Sequence, residues 1–385
     1  MTSSRPKVLL AITAYNGEAF IERTLDSAAR IDTSEVDVDV VVLDDASPAP
    51  GFSARLAAMC EARGIGYYRT PRNLGIPRNV SLGLLAGVEK GYDYVIISNS
   101  DVIYPAHVVS QLVRAGQAKG VGSVTAWSNN VSMYSLENDD PDRYLADQEV
   151  VDSISAALAD QYGDAVMDIP AGISFCVLIS TDVIRDVGVM DPVFGRGYCE
   201  ETDWSLRSLA AGYRIALAPG VFVYHAGRGS NLDAGLVSGE HTSVPENERI
   251  IDLRYPTFRS QVRAFASSGI LDEAQLYAID AIMRAAGRES GYVLDVGWLP
   301  PTETQDDVVH CTVAANGLEE TVELRYRGFV RTMEVDAFGI GEALEEYFGR
   351  APEAVNLHDR GKLSSTLGER YPALTVRTGN YPARV

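Results

Sequence analysis

Four short apolar runs, each closed by polar residues and each followed by an amphipathic helical pattern, constrain the first third of the chain more than any other feature. They are "KVLLAITAY" (7–15), "VDVDVVVLDD" (36–45), "IGYYRT" (65–70) and "YDYVIISNSD" (92–101). Between them Phe20, Ile21, Leu25 and Ala28 recur at helical spacing, a helix is predicted around 53–63, and Val80, Leu84, Leu85 and Val88 share one face over 77–90. Another helix is expected over 105–118. Strand and helix alternating in this way imply an α/β fold, a mostly parallel sheet with helices on both faces. Sheets of that kind bind ligands beyond the carboxyl ends of their strands.

The chain keeps its polar side chains at those ends. Thr13, Tyr15 and Asn16 follow the first run, Asp44 and Asp45 the second, and Asn99 and Asp101 the fourth. Turn chemistry alone favours Asn, Asp and Ser there, and the concentration exceeds that expectation. Further on, residues 130–165 are acidic and are expected to form an irregular excursion near one edge. "GISFCVLIS" (172–180) returns to a strand, and "YRIALAPGVFVYHAG" (213–227) gives strand-like runs around His225.

Between those two lies "GYCEETDWSLRSLAAGYR" (197–214), with three carboxylates in four positions. Trp204, Leu206, Leu209 and Ala210 form an apolar helical stripe, with Thr202 the expected N-cap and Gly212 the terminator. Acids in a first turn are favoured by the helix dipole, each by roughly 0.3–1 kcal/mol, so an ordinary acidic helix start is one explanation. Glu200 and Asp203 are three apart and are expected to share a helix face, with Glu201 pointing roughly 100° away.

The chain has 385 residues, 46% of them hydrophobic, enough for one large domain and a smaller one. Lys and Arg number 33 against 53 Asp and Glu, a net charge of −20, which disfavours nucleic acid and anionic membranes as general partners. Cys60, Cys176, Cys199 and Cys311 form no CxxC pair, so reduced thiols are expected. No run approaches the roughly 20 apolar residues of a membrane span, and the N-terminus lacks a signal-peptide pattern; a soluble, cytoplasmic protein is expected.

The first domain is expected to span residues 1–230, followed by a loop and helical connector over 231–290 and a small α+β domain over 291–385. In the last, "VVHCTVAANGLEETVELRYR" reads as a hairpin turning at Asn316-Gly317, with Val322, Leu324 and Tyr326 alternating against Thr321, Glu323 and Arg325. A short helix, "GEALEEYFGR", follows. An unpaired edge of that hairpin would favour self-association.

Read in order, "TAYNGEAFIERTLDS", "VVVLDDAS", "RNLGIPRNVSLG", "SNSDV" and the block from "AGISFCVLIS" through "EETDWSLR" to "VYHAG" resemble the successive motifs of family 2 glycosyltransferases, rhamnosyltransferase-like members among them. The resemblance covers roughly residues 7–228 and implies an inverting enzyme with the A-type nucleotide-sugar-binding fold. It places Thr13, Ala14, Tyr15, Asn16 and Glu18 beside the base and ribose of a nucleoside-diphosphate sugar, UDP-, dTDP- or GDP-linked. Asp45, with Asp44 beside it, matches the acid that accepts from the base's N–H, a charge-assisted bond. Asn73 and Arg78 match positions near the base and phosphates.

"SNSDV" stands where the family usually has Asp-X-Asp, so Asn99 replaces one acid, Ser100 lies between, and Asp101 remains to meet a Mn2+ or Mg2+ ion on the diphosphate. His225 matches a position that reaches the same metal or the diphosphate. The general base falls on Glu201, where the family commonly has Asp. Glu200 and Asp203 are expected to shape the acceptor pocket and to raise the base's proton affinity by like-charge repulsion. Trp204 and Arg207 fall at the acceptor: the tryptophan stacks on a sugar ring or packs in the core, and the arginine bonds to one of the acids. The implied reaction is single displacement onto a hydroxyl acceptor such as a glycan, lipid-linked sugar or secondary metabolite. Two alternatives are a non-catalytic nucleotide-sugar-binding module and a sugar-phosphate nucleotidylyltransferase. The latter generally carries a Gly-rich phosphate loop after its first strand, where this chain has "TAYNGEA".

Overall fold

The computed structural model describes residues 5–227, 245–297, 307–314, 319–336, 339–359 and 361–377. The chain divides into two compact units, one of residues 1–136 and 146–273, the other of residues 137–145 and 274–385.

The first unit opens with β1 (Lys7–Ala14), α1 (Ile21–Ala29), β2 (Asp37–Asp44), α2 (Phe52–Ala62), β3 (Gly66–Arg69), α3 (Ile76–Glu89) and β4 (Tyr94–Ser98). After these come β5 (Val102–Ile103), α4 (Val108–Gly116) and β6 (Val121–Trp127); a short helix α5 (Pro141–Tyr144) then belongs to the second unit. The first resumes with α6 (Gln148–Tyr162), β7 (Met167–Asp168), β8 (Cys176–Ser180), α7 (Thr181–Val187), α8 (Glu200–Ala210), β9 (Arg214–Phe222), β10 (Tyr224–His225), α9 (Pro245–Arg254) and α10 (Phe258–Ser267).

Its main sheet runs β3-β2-β1-β4-β8-β6-β9-β7. The first four strands are parallel, β8 lies antiparallel between β4 and β6, and β9 returns parallel to β6. β1 is central and covered on both faces, so its run is apolar throughout rather than alternating. Leu10 and Ile12 pack with Leu25, Leu56 and Leu112 in one fully buried cluster, where each such side chain contributes roughly 1.5–3 kcal/mol. On α3, a Cβ at Gly87 would sit 2.1 Å from Val95 Cγ2, so glycine is what lets that helix lie directly on β4.

Two expectations are corrected here. The acidic stretch over 130–165 is not irregular: it contains the four-turn helix α6, whose N-cap Asp147 accepts from the N–H groups of Glu149 (2.9 Å) and Val150 (3.4 Å). Val150, Val151, Ile154 and Leu158 form its buried stripe, packed against β9. The boundary near residue 230 also differs, because residues 245–273 cluster with the first unit and support its site.

The second unit contains the sheet β14-β13-β12-β11-β15-β16, with β11 (Tyr292–Val296), β12 (Val309–Ala314), β13 (Glu319–Tyr326), β14 (Phe329–Asp336), β15 (Ala354–Leu357) and β16 (Thr375–Arg377). Helix α11 (Ile270–Glu289) leads into this unit, which also holds α12 (Ile340–Phe348) and α13 (Lys362–Arg370). β12 and β13 pair antiparallel with Val313 opposite Val322, while Asn316 and Gly317 lie outside the described residues. Tyr292 stacks on Phe348 at a ring-centroid distance of 4.4 Å. Residues 137–145 dock on the turn between β13 and β14: Asn138 Nδ2 donates to Arg327 O (2.8 Å) and Asp139 N–H to Gly328 O (2.9 Å).

Candidate active site

A cavity of about 480 Å³ opens at the carboxyl ends of β1, β2 and β4. β1 delivers Thr13 and Ala14, and Tyr15 follows; Asp45 arrives after β2 and Asn73 from the loop before α3. Asn99, Ser100 and Asp101 follow β4, Glu200 and Glu201 start α8, and His225 closes β10. The strand ends therefore converge on one space with the acidic helix start.

Asn16, Glu18, Asp44, Arg78, Asp203, Trp204 and Arg207 do not line this cavity. Asn16 ties two loops together: its N–H donates to Ser47 Oγ (2.8 Å) and its Oδ1 accepts from the Ala49 N–H (3.3 Å). Glu18 is exposed and paired with Arg55. Arg78 is exposed on α3 and donates to Leu74 O at 3.5 Å. Asp44 is fully buried: Oδ1 accepts from Ser47 N–H and Oγ, and Oδ2 from Ser53 Oγ (2.5 Å) and Tyr67 OH (2.7 Å). Burial pushes its pKa up, but these donors outweigh it and hold the carboxyl below its ordinary value. The adjacent acids thus split: Asp44 braces the β2 end and Asp45 faces the cavity.

Asp45 is itself well bonded. Oδ1 accepts from the Leu74 N–H (2.8 Å) and Thr70 Oγ1 (3.0 Å), and Oδ2 from the Gly75 N–H (2.8 Å), so it holds the 70–75 loop and keeps acceptor capacity on Oδ2. Its pKa is raised, by burial first and by Asp44 after the opposing donors. Lining residues not singled out from the sequence include Asn79, Arg196 and Asn130. Asn79 donates to Leu43 O (2.9 Å) and leaves Oδ1 buried without a partner. Arg196 is the cationic side chain among the lining residues. Nothing local distinguishes Asn79 from its neighbour Arg78; only the helix rotation does.

His225 is pinned from several sides. Its N–H donates to Asn129 Oδ1 (2.8 Å), and Asn129 Nδ2 donates back to its carbonyl (2.9 Å). Nδ1 meets Asn130 O at 2.9 Å, which makes Nδ1 the protonated nitrogen and turns Nε2 to the cavity. There Nε2 lies 3.2 Å from Asp101 Oδ1 and 3.2 Å from Asn99 Nδ2. Asp101 Oδ1 is buried and has no hydrogen-bond partner. Burial lowers the imidazole pKa, but Asp101 and Asn130 O outweigh it and the net direction is up. Among the described residues no group of three His, Cys, Asp or Glu is arranged to hold a metal.

The acidic helix differs from expectation in three respects. It begins at Glu200, so Thr202 is inside it; the N-cap position is Cys199, whose φ of 72° offers no side-chain cap. Glu200 and Glu201 both reach the cavity, and Asp203 turns away: its Oδ2 accepts from Arg207 Nε (2.8 Å), and its Oδ1 from Arg254 Nη1 (2.8 Å) and Tyr255 OH (2.9 Å). Those donors decide its direction. Arg207 also donates to Val187 O (2.7 Å) and Val189 O (2.9 Å), and the buried Trp204 donates to Gly188 O (2.9 Å). Both residues fasten α8 to the turn after α7, so the tryptophan is core and neither lines the cavity.

The glutamates form a pair. Each keeps its Oε2 buried without a partner, and the two carboxyls interact directly. Burial and then Glu201's charge raise Glu200's pKa well above the ordinary range; burial also raises Glu201, against the bond from Glu200. The two carboxyls titrate as one coupled pair, both above the ordinary carboxylate range. Glu200→Gln keeps a donor and removes the titrating group. It should retain most turnover and abolish the alkaline fall of the pH–rate profile, measured from pH 5 to 10; an unchanged alkaline limb would assign that limb elsewhere.

Residues 10–174 match the family model described as glycosyl transferase family 2. Over that span the chain is similar to the family 2 glycosyltransferases. Glu200, Glu201 and His225 lie beyond the matched span. A search of curated proteins returned no match. Similar solved structures include the mannosyltransferase PcManGT from Pyrobaculum calidifontis with GDP-Man and Mn2+ (17% identity, 74% of this chain and 75% of that one, TM-score 0.45). Others are GalNAc-T7 with UDP, GalNAc and Mn2+ (14%, 74% and 52%, 0.45) and S. aureus TarS 1-349 with UDP (13%, 72% and 80%, 0.42). Among the described residues of the chain, no helix is long and apolar enough to cross a membrane.

Proposed function

We propose that the chain transfers a sugar from a nucleoside diphosphate, UDP-, dTDP- or GDP-linked, to a hydroxyl acceptor with inversion, in a single displacement. The observation that carries this reading is the Glu200–Glu201 pair, Glu200 buried and Glu201 half-buried, each with an unpartnered buried Oε2, on the same cavity as Asp101 and His225. Glu201 in its ionised form is a base ready to take the acceptor hydroxyl's proton as that oxygen attacks the anomeric carbon. Burial is what lifts its basicity towards neutral pH. Asp45 Oδ2 retains capacity for an N–H of the nucleobase. Arg196 offers charge to the diphosphate.

A divalent cation fits the Asp101–His225 pair. Asp101 Oδ1 and His225 Nε2 face each other at 3.2 Å, a carboxylate oxygen and an imidazole nitrogen that a cation would bind in place of a proton, and hard cations take their remaining ligands from phosphate and water. Asn99 presents an amide in place of a second acid, and imidazole suits Mn2+ better than Mg2+. When bound, the ion would neutralise charge on the departing diphosphate.

The reading is tested by thermal stabilisation with UDP, GDP and dTDP, each with Mn2+, Mg2+ or EDTA. One nucleotide is expected to stand out, and only with metal, since binding to the native state raises stability by mass action. No response to any nucleotide would overturn the reading.

A further inference from the structure

The turn that delivers the glutamates is held in an unusual backbone conformation. Gly195 (φ 63°), Gly197 (φ 140°), Tyr198 (φ 72°) and Cys199 (φ 72°) all have positive φ, and the last two are not glycine. Side-chain-bearing residues adopt that region only where their surroundings over-determine it. The surroundings here are supplied by α9. Asn247, only 6% exposed, directs its Nδ2 at three carbonyls of this turn: Phe194 (3.0 Å), Gly197 (2.7 Å) and Tyr198 (3.0 Å). An amide nitrogen has two hydrogens, so one of these bonds is shared, and all three acceptors lie within the five residues before Cys199. The same helix sends Arg254, and just past its end Tyr255, to Asp203. One helix therefore grips the turn on one side of the glutamates and the first α8 turn on the other.

We infer that Asn247 is a positioning residue for the reaction: it closes the 194–199 turn so that Glu200 and Glu201 meet as one pair on the cavity. The inference rests on the proposed transferase reading. Across the cavity the pair is faced by Arg196, Asp45, Asp101 and His225; behind it, Cys199 is in electrostatic contact with both glutamates, Glu248 and Arg259. Asp45, Asp101 and His225 lie on other elements, whereas Arg196 and Cys199 belong to the turn that Asn247 holds. What changes on its loss is the freedom of the turn and the access of water to the pair.

Asn247→Ala should therefore lower kcat by about 10- to 100-fold with the donor KM within threefold, the pattern of a misplaced reacting group. The acid limb of its pH–rate profile should move to lower pH, because solvated carboxylates lose protons more readily. Leu56→Ala, a buried change under β2, provides a destabilised control that should leave both kcat and the acid limb in place. If alanine at 247 prevents folding, Asn247→Ser, which keeps one donor, serves for the same two readouts. A kcat within threefold of the parent, or a lowered kcat with an unmoved acid limb, overturns the inference. The base assignment is tested separately: an active Glu201→Gln strikes the transferase mechanism, whereas an inactive Glu201→Gln beside a normal Asn247→Ala strikes the clamp alone.

Discussion

Glu201→Gln is expected to reduce sugar transfer by about 10²–10⁴-fold, the range a general base supplies, while nucleotide binding stays near the parent's. Gln preserves volume and can still bond to Glu200, so what is lost is the lone pair that takes the acceptor's proton. The same substitution has an opposite effect on stability. Both carboxyls bind protons more tightly folded than unfolded. Stability is therefore fully present below the unfolded value near pH 4.3 and is lost as pH rises through the folded values. Gln at 201 removes part of that loss, so Tm should rise at pH 8 and change little at pH 4. Turnover within tenfold of the parent would place the base elsewhere, and a Tm that falls at pH 8 would show that the pair is not paying a desolvation cost.

Asp101→Asn is expected to abolish the metal-dependent part of nucleotide stabilisation. At 100 times Kd that stabilisation amounts to about 2.7 kcal/mol, and in the variant it should shrink to the level seen with EDTA. The amide matches the carboxylate in size and still fits beside His225, which keeps its bonds to Asn129 and Asn130, so the site's shape is retained and its charge is not. Turnover should fall by about 10²–10³-fold, equivalent to roughly 3–4 kcal/mol of barrier. Full metal dependence in the variant would remove Asp101 from the cation site.

The polar strand ends could be read from the chain because a parallel sheet puts its carboxyl ends in register, and the unbroken apolar run Val8–Ile12 marks where the first end falls. Neighbouring residues were harder to separate. Asp44 and Asp45 have the same chemistry one residue apart, and only Tyr67, Ser53 and Ser47 on one side and the 70–75 loop on the other assign their roles. Asp203 was misdirected for a similar reason: the groups that turn it, Arg254 and Tyr255, lie 51 and 52 residues downstream. Asn247 sits in a polar helix start, "PENER", with no local sign of a partner 50 residues upstream. Helix α6 was obscured by the acidic composition of the stretch before and within it, which hid the stripe Val150, Val151, Ile154 and Leu158 that makes it fold.

The membership of residues 137–145 in the second unit bears on how the protein leaves the ribosome. Asp139 pairs with Arg325 across 186 positions, and Asn138 meets Arg327 across 189. At about 5–20 residues per second, the stretch emerges roughly 10–40 s before its partners exist. The first unit must therefore form around a loop whose own anchorage has not yet been made, and ribosomal pauses between residues 145 and 325 would lengthen that exposed interval.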